Sequence, residues 1–231
     1  MALILNIETS TEVCSAALSF EGNLIALKEN TEGQQHASAL TVFIQDLFLQ
    51  SGHSMNELKA VAVSKGPGSY TGLRIGVSVA KGIAYAAEIP LIAVSTLQAL
   101  SFGVIKSHAW EIIENTWLCP MIDARRMEVY TAFFTSRNEM VKDIAAEIID
   151  ENSFLEILDT RQVLFFGNGA LKCREKMTHS NAKFLEKVNC SAAHMIGLSY
   201  ELYTRKEFVD AAYFEPLYLK DFIATVPKNL I

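Results

Sequence analysis

The sequence is poor in the groups that usually advertise chemistry. Its four cysteines, Cys14, Cys119, Cys173 and Cys190, are widely scattered and form no C-x-x-C pair, so reduced thiols are expected. The five histidines, His36, His53, His108, His179 and His194, give neither H-x-x-x-H nor H-E-x-x-H. A sequence-local zinc or iron site is therefore not expected. Long apolar runs are missing too. The stretch from Leu91 to Ile105 is broken by Ser95, Thr96, Gln98, Ser101 and Gly103, short of the ~18–20 residues of a membrane span. The start, Met1 to Asn6, carries no basic region and reads as a buried strand, not a signal peptide. A cytoplasmic protein with no membrane partner is the expectation. Basic patches are sparse: the net charge is −6, and the densest run, Lys172 through Arg174, Lys176 and Lys183 to Lys187, is diluted by Glu175 and Glu186. Phosphate neutralisation supplies most nucleic-acid affinity, so tight nucleic-acid binding by this chain alone is disfavoured.

What is present is an ordinary globular composition, half apolar and one fifth charged, over 231 residues. That length allows one large domain or two of roughly 100–130 residues. Four landmarks recur in the same order. Leu3–Ile7 ends in Glu8 and is followed by Glu12-Val-Cys-Ser-Ala; Leu118–Ile122 ends in Asp123 and is followed by Glu128-Val-Tyr-Thr-Ala. An apolar strand then runs into glycines in each half, Val61–Gly68 and Val163–Gly169. The shared order indicates a duplicated domain. Between landmarks, Leu40, Phe43, Ile44, Leu47 and Phe48 fall at helical spacing over His36–Gln50. Gly72–Ala87 also reads as helix, Leu91–Val94 as strand, and Ala192–Tyr203 as helix, while Gly22-Asn23 supplies a turn. Strands alternating with helices give an α/β fold with mixed sheets flanked by helices. The boundary is placed at Gly103, giving domains 1–103 and 104–231.

Lys65-Gly-Pro-Gly-Ser-Tyr-Thr-Gly-Leu-Arg-Ile-Gly76 is the most specific stretch. It follows a strand and opens a helix, where backbone N–H groups and the helix dipole favour an anion. A Walker A loop is excluded, because no Gly-Lys-Ser/Thr occurs. Gly66, Gly68 and Gly72 also miss the dinucleotide spacing. A tight turn with no ligand remains open. Gly72, Gly76, Ala80 and Ala84 form a stripe without bulk, which suits either packing on the chain's own sheet or close contact with a partner helix. The partner contact is favoured, because the His36–Gln50 helix carries Val42 and Leu49 opposite its main apolar face.

Gly66-Pro-Gly-Ser-Tyr-Thr-Gly-Leu-Arg-Ile-Gly76, with Ile7-Glu-Thr-Ser10, Asp123-Ala-Arg-Arg-Met-Glu-Val-Tyr130 and the ending Glu215-Pro-Leu-Tyr-Leu-Lys220, resembles the TsaB (YeaZ) family. The resemblance runs from end to end and is strongest in the first 130 residues. It implies a paralogue of the catalytic subunit TsaD, with duplicated ribonuclease-H-like domains of the actin, sugar-kinase and heat-shock ATPase superfamily. TsaD-like proteins hold a metal through H-x-x-x-H; here the corresponding positions carry Thr96 and Leu100, and Leu cannot ligate. The resemblance thus implies no catalytic residue and no metal. It implies instead a scaffold in forming N6-threonylcarbamoyladenosine in tRNA, which pairs with a TsaD homologue, helps recruit a TsaE homologue, and meets tRNA only indirectly. A homodimer through the same helices is compatible. The alternative is a small ATPase or kinase whose degenerate nucleotide cleft is outlined by Glu8, Thr9, Ser10, Gly66, Gly68, Asp123, Gly167 and Gly169. No cofactor is expected beyond weak ATP or ADP binding.

Overall fold

The structure is a computed structural model that describes residues 1–31, 36–112 and 115–220. The first sheet contains β1 (Leu3–Glu8), β2 (Cys14–Phe20), β3 (Asn23–Asn30), β4 (Leu58–Ser64) and β5 (Leu91–Val94), in the order β3-β2-β1-β4-β5. The second contains β6 (Trp117–Asp123), β7 (Glu128–Phe134), β8 (Met140–Ile148), β9 (Val163–Phe166) and β10 (Ala182–Phe184), in the order β8-β7-β6-β9-β10. In each, the first three strands form an antiparallel meander and the last two run parallel to the leading strand. The two sheets therefore share one topology, and the duplication is a duplication of fold.

Helix α1 (His36–Ser51) and helix α2 (Tyr70–Ala86) cover one face of the first sheet. Leu3, Leu5 and Ile7 alternate toward them and join Leu40, Ile44, Leu47, Val77 and Ala80 in one core. Alternation follows from the two-residue period of a strand, so Ile4 faces the other way. There it meets Ala60, Ala62, Ile92 and Met195, and Met195 belongs to α5 (Ala192–Arg205). Asn6 lies on the α5 side with Ile4; its amide bonds Ser19 Oγ at 3.1 Å and its oxygen accepts from Ser199 Oγ at 2.6 Å. This satisfies a polar group that burial would otherwise penalise.

The domain boundary at Gly103 needs correction. Gly103 lies inside α3 (Thr96–Ser107), whose Leu97, Leu100 and Val104 pack on the second sheet with Leu118, Ile122, Leu164 and Phe166. Conversely, α5 and the segment after it return to the first domain: Val209 bridges Leu91, and Phe214 joins the first core. Each sheet must bury two faces, and the chain supplies the second face of each with a helix from the neighbouring half. Residue ranges 1–103 and 104–231 therefore do not separate the two bodies. The opposite face of the second sheet is closed by Phe154, the short helix α4 (Leu155–Leu158) and Cys173 and Met177.

Candidate functional site

The segments that follow β1 and β6 are joined through Asn168, and the acids found from sequence stand near that junction in different states. Glu8 is 1% exposed, and burial raises its carboxyl above the ordinary carboxylate range, opposed by its hydrogen bonds. One of these comes from the Ser10 amide at 2.7 Å. Asp123 is half-exposed and held by Lys172 Nζ at 2.6 Å, while it accepts from the Arg125 amide at 2.7 Å. Its own amide donates to Asn168 Oδ1 at 3.0 Å, and the Asn168 amide donates to Glu12 Oε2 at 2.7 Å. Asn168 is thus a cross-domain tie that sequence reasoning did not single out; it was visible only as the residue between Gly167 and Gly169.

The glycine turn is filled by its own chain. Ser69 donates its amide to the Ser10 carbonyl at 2.6 Å, and Ser69 Oγ caps α2 by accepting from the Gly72 amide at 3.2 Å. Thr9 Oγ1 donates to the Gly72 carbonyl at 2.8 Å. A Cβ at Gly68, Gly72 or Gly76 would overlap Ser10, the Thr9 carbonyl or the Thr9 hydroxyl. Glu8, Thr9, Ser10, Gly66 and Gly68 therefore come together on one side, and Asp123, Gly167 and Gly169 on the other. Gly169 donates its amide to the Met121 carbonyl at 3.0 Å.

The small-residue stripe is also corrected. Gly72, Gly76, Ala80 and Ala84 are buried against the chain's own β1–β2 turn and first core. In the folded monomer, no partner backbone has room to approach that side. The exposed side of α2 carries a second set of small residues, Ser78, Gly82 and Ala86, and a Cβ at Gly82 would touch nothing within 4 Å among the described residues. Beside it lies a groove of about 490 Å³ between α1 and α2, lined by Ile44, Phe48, Leu49, Met55, Val79 and Ile83 among others. Val42 and Leu49 are 52% and 74% exposed on α1.

Thr96 is buried at the start of α3, and Leu100 packs in the second core. A Cβ at Gly167 would lie 3.1 Å from Leu100 Cδ2. These side chains do not fit a metal: one offers a single hydroxyl and the other no donor. Among the described residues, no three His, Cys, Asp or Glu side chains cluster to hold a metal ion. The four cysteines are free and buried. Burial, with the Glu8 charge adding, pushes the Cys14 thiol up to about 11, which leaves it a poor nucleophile at neutral pH.

Two five-stranded mixed sheets of one topology, each flanked by helices, define a protein of the duplicated α/β class. Residues 29–228 match the family model for TsaD, tRNA N6-adenosine threonylcarbamoyltransferase. The chain is 33% identical over 171 residues to the tRNA threonylcarbamoyladenosine biosynthesis protein TsaB of Bacillus subtilis, covering 71% of this chain and 70% of that one. It is 41% identical over 129 residues to the Escherichia coli protein of the same name, covering 56% of this chain and about half, 53%, of that protein. The solved structure of YeaZ from Pseudomonas aeruginosa superposes with a TM-score of 0.82 at 27% identity, over 95% of this chain and all of that one. The chain belongs to the TsaB (YeaZ) family. No helix among the described residues is long and apolar enough to cross a membrane.

Proposed function

We propose that this chain is a non-catalytic subunit of the system that makes N6-threonylcarbamoyladenosine in tRNA, docking a TsaD homologue through the exposed face of α1 and α2. The observation that carries this reading is the groove of about 490 Å³ between those helices, flanked by Leu49 at 74% exposure. Exposed, contiguous apolar surface of this kind marks interaction sites. Gly82 supports it: an exposed helical glycine costs about 1 kcal/mol relative to alanine, and nothing among the described residues needs its lack of a side chain. A partner helix lying over Ser78, Gly82 and Ala86 would need it. The pair then recruits a TsaE homologue, and tRNA meets the assembly through the partner, in keeping with the net charge of −6. A homodimer through the same face is the state of the chain alone and gives way to the heterodimer.

The enzymatic alternative, a small ATPase or kinase, has weaker support. The turn that would cradle a phosphate is occupied by Thr9 and Ser10, and Asp123 is engaged by Lys172. The test is co-purification of the chain with a TsaD homologue from the same organism, followed by transfer assays with each component omitted. Threonylcarbamoyl transfer or ATP turnover by this chain alone would refute the scaffold reading.

A further inference from the structure

The segment Glu215-Pro-Leu-Tyr-Leu-Lys220 has no role in the reading above, yet it runs from the glycine turn to the second domain. Leu217 donates its amide to the Lys65 carbonyl at 2.7 Å. The Leu217 carbonyl oxygen lies 2.9 Å from where a Cβ on Gly66 would stand, and Gly66 has φ +99°. The seat of this strap is therefore built into the glycine turn. The Tyr218 ring packs on Tyr70 with centroids 4.9 Å apart, and its hydroxyl accepts from Arg74 Nε at 3.4 Å. Upstream, Lys81 Nζ donates to the Ala212 carbonyl at 3.2 Å. All these anchors are on the first domain.

The last described residue crosses over. Lys220 pairs with Glu128, the first residue of β7 in the second domain, and sits 5.8 Å from the Tyr130 ring centroid. The Glu128 carbonyl also accepts from Lys172, at 2.7 Å, the lysine that holds Asp123. Lys220 and Asp123 thus share one short network through Glu128 and Lys172.

We propose that residues 215–220 are a latch that holds the two domains closed, with Lys220 and Glu128 as its catch. Relative motion of two domains in one chain is limited by the contacts between them, and here the Lys220–Glu128 pair stands beside the Asn168–Glu12 tie. Here the catch is a partly exposed ion pair, with side-chain exposures of 38% and 23%. Such pairs are individually weak and screened by salt, which suits a contact made to release. The catch itself, Lys220 with Glu128, lies outside α1 and α2, while Tyr70, Arg74 and Lys81 of α2 hold the strap.

Hydrogen exchange of the full chain tests the latch. In Lys220→Glu, exchange should rise about fivefold, the size of one weak ion pair, both in 215–220 and in segments 8–14 and 165–170, which meet through Asn168 and Glu12. The centres of β1 and β6 should be unchanged. The charge swap Lys220→Glu with Glu128→Lys should restore protection. An increase confined to 215–220, no increase, or failure of the swap to restore protection would each overturn the proposal.

Discussion

The Thr9 hydroxyl donates to the Gly72 carbonyl at 2.8 Å, across 63 residues of sequence. That contact explains why α2 begins with glycines. The β1–β2 turn lies directly on the first turns of the helix, where a Cβ would collide with backbone. Substituting Gly72→Ala or Gly76→Ala should therefore destabilise the monomer by about 1–3 kcal/mol, the range for overpacking a close contact. Urea unfolding measures it. Wild-type stability in both variants would mean that the turn does not sit on the helix.

Gly82→Ala should behave in the opposite way. The site is exposed and open, so alanine should stabilise the monomer by up to about 1 kcal/mol through helix propensity. Thermal unfolding of the two classes of variant, side by side, separates the buried face of α2 from the exposed one.

Glu8 should make stability fall with rising pH. Burial raises its folded-state pKa, so over a window above the unfolded carboxylate value the folded chain holds a proton that the unfolded chain releases. Its contribution is complete below that unfolded value and is lost as pH rises through the folded one. Glu8→Gln removes the titration, so the variant should gain on the wild type as pH rises above the unfolded carboxylate value. A difference that stays constant with pH would contradict the burial of the carboxylate.

Magnesium–ATP at about 1 mM should leave the melting temperature within about 1 °C, because a ligand stabilises only when its concentration exceeds Kd. The physical ground is that Thr9 and Ser10 fill the glycine turn and Lys172 engages Asp123. A shift of several degrees would favour the ATPase alternative.

Much of the fold was legible because its signals are local. Strand-ending acids and the recurring E-V-x-[ST]-A marked the duplication, and the spacing of Leu40, Ile44, Leu47 and Phe48 marked α1. Helix α3 was not legible. Leu97, Ala99, Leu100, Ser101, Gly103 and Val104 are all buried, so it has little polar face to set a period, and Gly103 suggested a break. Gly103 is instead small because His194 of α5 crosses there.

The candidate site was half legible. Residue types at the site were found, but which side of α2 faces inward was not, since small residues occupy both. Only the position of the Thr9 backbone decides it, and that is a long-range fact. The same holds for the strap: its motif was recognised, while its partner Glu128 lies 92 residues away.

Association with the TsaD homologue tests the central claim most directly. Titration calorimetry with wild type and with Val42→Glu and Leu49→Glu, both exposed and so expected to fold normally, reads the α1–α2 face. A charge placed in an apolar contact should weaken binding at least tenfold, about 1.4 kcal/mol, with melting temperatures unchanged. Wild-type affinity in both variants would contradict the proposal that this face carries the partner.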